Sequence, residues 1–191
     1  MPRRRPRVIG GSFARTRLEI PPGVRPTTGR VREALFSSLG TRVHRAAVLD
    51  LYSGSGALAV EAMSLGAARA VLVDRDRAAV EAGRANLRWF EQSPSAPRWR
   101  VEQSTVARFL DRGPPPEAPF DLVFLDPPYE MRKEEVEGVL ARLVEPGWLA
   151  PGATVVVERP ARGEPLATSH FEPTWERRYG DTLVTVLALA G

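Results

Sequence analysis

From Ala47 onward the chain alternates two hydrophobic patterns. Apolar runs of strand length ("AVLDLY", "AVLVD", "FDLVFLD", "TVVVE" and "TLVTVLALA") are separated by stretches whose apolar residues recur at helical spacing. Those stretches predict helices at Gly56–Leu65, Arg77–Phe90, Val106–Leu110 and Lys133–Val144, with a weaker strand near Arg100–Gln103. Upstream, Arg7–Ile9 and Thr16–Ile20 flank Gly10 and Gly11 as the arms of a hairpin. Thr27 or Thr28 then caps a helix whose Val31, Leu35 and Leu39 share one face, with Arg30 and Arg32 pointing elsewhere. The proline-rich pieces Ser93–Pro97 and Gly113–Pro119 are connections, and no internal repeat is present.

Apolar strands alternating with helices predict an α/β fold, a mostly parallel sheet with helices on both faces. Such sheets bind ligands outside the carboxyl ends of their strands. Asp50, Asp74 and Asp126 all fall at such ends. That recurrence makes them the first candidates for a site.

The segment "LDLYSGSGALAVEA" is strand, glycine turn and helix. Gly54 and Gly56 permit a tight turn and a close approach of ligand to backbone. Asp74 follows Gly56 at the spacing where an acid meets a ribose diol, its alternative role being the cap of the helix after Arg75. Asp50 either accepts N–H groups of the glycine loop or faces a ligand ammonium group. Tyr52 and Arg75, beside these positions, join the candidate cofactor contacts. The loop alone suits NAD and S-adenosylmethionine equally, since both carry that diol.

The chain of 191 residues has no cysteine and two distant histidines, His44 and His170. Thiolate or histidine metal clusters and a cysteine nucleophile are therefore not expected. No apolar run approaches the roughly 20 residues that span a bilayer, and the arginine-rich start lacks a signal peptide's apolar block; a cytoplasmic protein is expected. The net charge of +4 is unevenly spread. Residues 1–45 hold eleven arginines against Glu19 and Glu33, a net +9, while the remainder carries 16 basic and 21 acidic residues, a net −5. A basic extension over 1–45, placed on an acidic body over 46–191, is the pattern of a nucleic-acid-binding arm on a catalytic module. Arg3, Arg4, Arg5, Arg7, Arg15 and Arg17 are the candidate phosphate contacts, with Arg25, Arg30 and Arg32 divided between RNA and structural roles.

The stretch Phe124-Leu125-Asp126-Pro127-Pro128-Tyr129 separates the two cofactors. Neither proline has an N–H, so the turn offers acceptors only: the Asp126 carboxylate and backbone carbonyls. Fixed acceptors suit an exocyclic nucleobase amine, whose two hydrogens can be gripped while Tyr129 stacks on the base. The implied electrophile is the methyl group of a sulfonium, attacked in line, with catalysis from orientation and charge stabilisation. Three rivals stand beside this reading. They are a DNA adenine-N6 or cytosine-N4 methyltransferase, an NAD-dependent oxidoreductase, and an inactive RNA-binding relative.

Taken together, "RVIGG", "RPTTGRVREALF", "DLYSGSGAL…EA" and "FLDPPY", in this order and spacing, resemble the RsmD family of class I S-adenosylmethionine-dependent methyltransferases. The likeness runs from about Arg7 to "YGDTLV". It implies a Rossmann-like seven-stranded sheet with an amino-terminal hairpin and helix, S-adenosylmethionine as donor, and no metal. It also implies N2 of one guanine in 16S rRNA as target; the expected partner is 16S rRNA, in the small ribosomal subunit or its assembly intermediate, and the expected state a monomer. Carried over, Gly54 and Gly56 line the cofactor, Asp74 takes the ribose, and Asp126, Pro127, Pro128 and Tyr129 form the amine clamp. One departure follows the third strand. Where such enzymes often place an Asp or Asn against the adenine, this chain has Ser104 and Thr105, with helix capping the alternative role of Ser104.

Overall fold

A computed structural model of the chain describes residues 6–21, 28–92 and 96–190. Seven strands form one sheet: β1 (Ala47–Leu51), β2 (Arg69–Asp74), β3 (Arg98–Gln103), β4 (Phe120–Leu125), β5 (Leu149–Pro160), β6 (Phe171–Tyr179) and β7 (Thr182–Leu189). Their spatial order is β3-β2-β1-β4-β5-β7-β6; β1 to β5 pair in parallel, while β7 is antiparallel to both β5 and β6. The helices are α1 (Gly29–Leu39), α2 (Ala57–Ser64), α3 (Arg77–Leu87), α4 (Val106–Asp111) and α5 (Lys133–Leu143). No helix among the described residues is long and apolar enough to cross a membrane.

Alternation along the central strands splits the core into two layers. Val48, Leu72, Leu122, Phe124 and Val156 face α1, α2 and α3, whereas Leu49, Val71, Val123, Leu125 and Val155 face α4 and α5. The expected elements agree with these bounds to within a few residues, with two differences. The strand "FEPTWERRY" is the seventh strand, hidden from the pattern because it lies at the sheet edge with mostly exposed side chains and a register shift at Pro173. The amino-terminal hairpin is also shorter than expected: a single bridge joins Arg7 to Arg17 around a turn of 3-10 helix at Gly11–Phe13.

Arg32 does not point outward. It is buried, donating from Nη2 to the Arg7 carbonyl at 2.6 Å and lying 3.7 Å from Glu61 of α2. Glu61 in turn accepts the N–H groups of Ile9 at 2.9 Å and Gly10 at 2.8 Å. The hairpin backbone presses so closely on α2 that a Cβ at Gly11, whose φ is +74°, would stand 1.8 Å from the Ser64 carbonyl oxygen. Burial lowers the pKa of Arg32 and raises that of Glu61, so desolvation outweighs their mutual attraction. Such a pair specifies an arrangement more than it stabilises one, but breaking it leaves a buried charge uncompensated. Glu61→Ala is therefore expected to lower the unfolding free energy by about 3–5 kcal/mol. Urea denaturation checks this; a loss under about 1 kcal/mol would mean that the pair does not hold the extension in place.

Candidate functional site

The strand order reverses between β1 and β4, which opens a crevice at the carboxyl edge of the sheet. Register fixes what borders it. Leu51 pairs with Val73 on one side and Leu125 on the other, so Tyr52 and Asp126 leave the sheet side by side. Two residues beyond Val48, Leu72, Phe124 and Val156 stand Asp50, Asp74, Asp126 and Glu158. Period-two alternation therefore puts four carboxylates on the α1–α2–α3 side of the sheet edge. All four line one cavity of about 870 Å³, together with Tyr52, Gly54, Arg75, Thr105, Pro127, Pro128 and Tyr129.

The glycine half is held by its acids. Asp74 Oδ2 accepts the Gly54 N–H at 2.8 Å, and Oδ1 accepts that of Asp76 at 2.9 Å. Asp76, not Asp74, caps α3 by accepting the Ala79 N–H at 2.9 Å, which removes the capping alternative for Asp74. Gly56 is not among the residues lining the cavity. Its left-handed φ of +73° closes the turn, and a Cβ there would meet Leu72 at 2.5 Å. Tyr52 also has a left-handed backbone, φ 59°, an uncommon state for a bulky residue and one that a rigid surround must enforce. Burial, with Glu135 adding to it and Arg75 opposing it, pushes the Tyr52 hydroxyl up to about 12.

Asp50 is buried and its Oδ2 accepts the Ala59 N–H in the first turn of α2 at 3.2 Å. Burial, reinforced by the nearby Asp74 charge and opposed by the Ala59 bond, raises its pKa well above the usual range. A dinucleotide's pyrophosphate would need helix N-terminal donors, and here Asp50 takes one of them, the Ala59 N–H. With Asp74, Asp126, Glu130, Glu135 and Glu158 in the lining against Arg75 and Arg142, the cavity favours a cationic ligand over an anionic one.

On the facing side the Asp126 N–H lies 3.5 Å from the Leu51 carbonyl, which sets the clamp against β1. The Pro128 carbonyl accepts the Met131 N–H at 2.9 Å, closing the turn beneath Tyr129. Tyr129 stands 43% exposed at the cavity mouth, and its hydroxyl shares a 2.5 Å hydrogen bond with Thr182 Oγ1 of β7. Thr105 lines the cavity and caps α4, accepting the Arg108 N–H at 3.2 Å. Ser104 is outside the lining and is not the cap; its hydroxyl donates to the Thr105 carbonyl at 3.0 Å. Arg7, Arg15, Arg17 and Arg30 are exposed. Arg3, Arg4, Arg5 and Arg25 lie outside the described residues.

Sequence reasoning missed Thr28, Tyr179 and Thr182, which also line the cavity, and left Glu158 without a role. Glu158 was within reach, because "TVVVE" carries the same strand-then-acid pattern as β1, β2 and β4. The other three come from elements that meet only through folding.

The strand order, with the cavity at its switch point, defines a Rossmann-like class I methyltransferase fold. A solved Escherichia coli structure bearing the name yhhF superposes with a TM-score of 0.84 at 33% identity, over 97% of this chain and 98% of that one. The chain is 40% identical over 155 residues to the ribosomal RNA small subunit methyltransferase D of Escherichia coli K12, covering 80% of this chain and 73% of that protein. Against the protein of that name from Haemophilus influenzae the identity is 34% over 164 residues, 85% and 82% of the two chains. A family model described as "Conserved hypothetical protein 95" matches residues 6–188. The chain belongs to this family, that of the small-subunit ribosomal RNA methyltransferases D.

Asp50 makes a pH-dependent contribution of known sign. Its native pKa is raised above the usual 3.8, so its contribution to stability is complete below that range and is lost as pH rises through the native value. Asp50→Asn keeps an acceptor for Ala59 but cannot ionise. Its melting temperature is expected to gain on the wild type as pH rises above the usual carboxylate range. A pH-independent difference in thermal melts would show that Asp50 is not protonated preferentially in the fold.

Proposed function

We propose that this chain transfers the methyl group of S-adenosylmethionine to the exocyclic N2 of a guanine in 16S rRNA. The observation that carries the reading is one cavity bounded on one side by the Gly54–Asp74 turn and on the other by Asp126–Tyr129. The carboxylate row and the Asp50-occupied start of α2 fit a cationic sulfonium and disfavour a dinucleotide. When bound, S-adenosylmethionine supplies an electrophilic methyl group. Asp74 holds the ribose diol with the lone pairs left by its backbone bonds. Asp50, Tyr52 and Gly54 surround the amino-acid end, and Arg75 and Thr105 border the adenine; Ser104 has no direct part.

The Asp126 carboxylate and the Pro127 carbonyl accept the two amine hydrogens, because the Pro128 carbonyl is already bonded to Met131. That grip opposes delocalisation of the nitrogen lone pair into the ring and directs it at the donor. As nitrogen becomes cationic its acidity rises, and the proton leaves to Asp126 or to water. Tyr129, pinned through its hydroxyl by Thr182, holds the plane of the base. Residues 1–45 act as the guiding extension and 46–191 as the catalytic body, with Arg3, Arg4, Arg5, Arg7, Arg15 and Arg17 contacting phosphates. The partner is the small subunit or its assembly intermediate, engaged by a monomer in the cytoplasm.

Mass spectrometry of 16S rRNA for N2-methylguanosine, with and without the protein, tests the reaction. Asp126→Ala is expected to abolish transfer while S-adenosylhomocysteine affinity stays near wild type; retained turnover would sink the clamp. Asp74→Ala is expected instead to weaken cofactor binding by about 1–3 kcal/mol, the scale of a lost bond to a charged group, as read by calorimetry.

A further inference from the structure

A second cavity, of about 520 Å³, adjoins the first and is lined by Thr28, Arg30, Val31, Ala34, Arg177, Arg178, Tyr179 and Gly180. It lies between α1 and the β6–β7 hairpin, and Thr28, Val31 and Tyr179 belong to both cavities. Three arginines line it and, among the described residues, no acid does. Along β6, Arg177 falls between Trp175 and Tyr179, which pack against the α1 side of the core, so alternation directs Arg177 to that same side. Arg30 is exposed on the first turn of α1.

Several arginines elsewhere on the body are neutralised by acids. Arg77 pairs with Glu81, Arg100 with Glu102 and Glu117, Arg132 with Glu135, and Arg142 with Asp111 and Glu145. Among the described residues, Arg30 and Arg177 have no such acid partner, and Arg178 donates only to the Gly180 carbonyl, at 2.8 Å. The neighbouring acids Glu33 and Glu176 are not part of the lining; Glu176 is instead bonded by the Thr185 hydroxyl at 2.8 Å. Tyr179 lines both cavities, and its hydroxyl is buried and without a partner among the described residues.

We infer that this groove holds the RNA backbone beside the target nucleotide, Arg30 and Arg177 contacting the flanking phosphates and the Tyr179 hydroxyl donating to the strand as it turns into the catalytic cavity. The inference rests on the proposed rRNA methylation and adds to the basic extension a binding surface on the carboxy-terminal β6–β7 hairpin. A strand that delivers one base past Tyr129 must carry its adjacent phosphodiesters across the rim, and the three arginines of the groove lie on that rim. Phosphate contacts position a strand without reading its sequence, so the groove sets where the base enters and not which base is chosen.

Two readouts separate this inference from the reaction itself. Binding of a labelled single-stranded RNA, followed by fluorescence anisotropy across a salt series, reads the groove without turnover. Arg177→Ala is expected to weaken binding about tenfold and to flatten the log–log salt slope by about 0.7, one phosphate contact on a single strand. Arg177→Lys should recover most of both, while Arg77→Ala, at an ion-paired surface site, should change neither. In methyl transfer to 16S rRNA, Arg177→Ala should raise KM with kcat and S-adenosylhomocysteine affinity unchanged. Wild-type affinity and salt slope in Arg177→Ala would overturn the groove even if methylation is found. Weakened binding by Arg177→Ala, in a wild-type protein that transfers no methyl to 16S rRNA, would overturn the reaction and leave the groove standing.

Discussion

The buried pair of Arg32 and Glu61 governs how the amino-terminal segment sits on the body. Its members are 0% and 1% exposed, and burial disfavours the charge on each, so attraction alone does not account for it. What it does is specify position. Glu61 takes two hairpin N–H groups, Arg32 takes the Arg7 carbonyl, and Ser64 exchanges bonds with the Gly10 carbonyl and the Phe13 N–H. This docking satisfies these groups together, and Gly11 admits the contact only because it lacks a Cβ. Three of the sequence segments that carry the family resemblance, "RVIGG", "RPTTGRVREALF" and the "EA" at the end of the glycine motif, therefore meet at one place.

Helix α2 connects that dock to the cofactor half. Its eight residues are all buried, and its alanines let it lie close on the sheet. At one end Asp50 accepts the Ala59 N–H; two residues later Glu61 receives the hairpin. The glycine turn and the amino-terminal hairpin are thus both fixed to one short, fully buried element. Asp50 has a cost as well as a use, since a carboxylate buried beside Asp74 is held where its charge is disfavoured. Functional sites commonly retain such groups because a ligand of opposite charge offsets the penalty on binding.

Much of this was legible before folding. Strand-length apolar runs gave the parallel half of the sheet, and the acids at their ends pointed to the correct edge. β6 was not legible, because Pro173 and its run of exposed polar residues describe an edge strand whose pairing to β7 is set by the "YGDT" turn and not by its own periodicity. Arg32 was misjudged for a related reason: helical spacing puts it on a polar flank, but the flank is covered by a hairpin that arrives from elsewhere in the chain. The capping roles of Asp76 and Thr105, each one or two residues from the acid or serine first considered, are beyond the resolution of pattern alone.

The carboxy-terminal hairpin turns these separate parts into one device. Thr182 fixes the Tyr129 hydroxyl, and Tyr179, its pairing partner across the turn, walls both cavities. A strand of RNA pressing on the arginine groove would therefore bear on the same hairpin that fixes the Tyr129 hydroxyl. A phosphate contact is indifferent to sequence, yet under the proposed reaction it would act one hydrogen bond away from the ring proposed to hold the plane of the reacting amine. Placement of the backbone and presentation of the base are then a single mechanical requirement, met only by a strand whose shape lets both occur together. For an enzyme whose clamp recognises an amine and not a sequence, selectivity through RNA shape follows from that coupling.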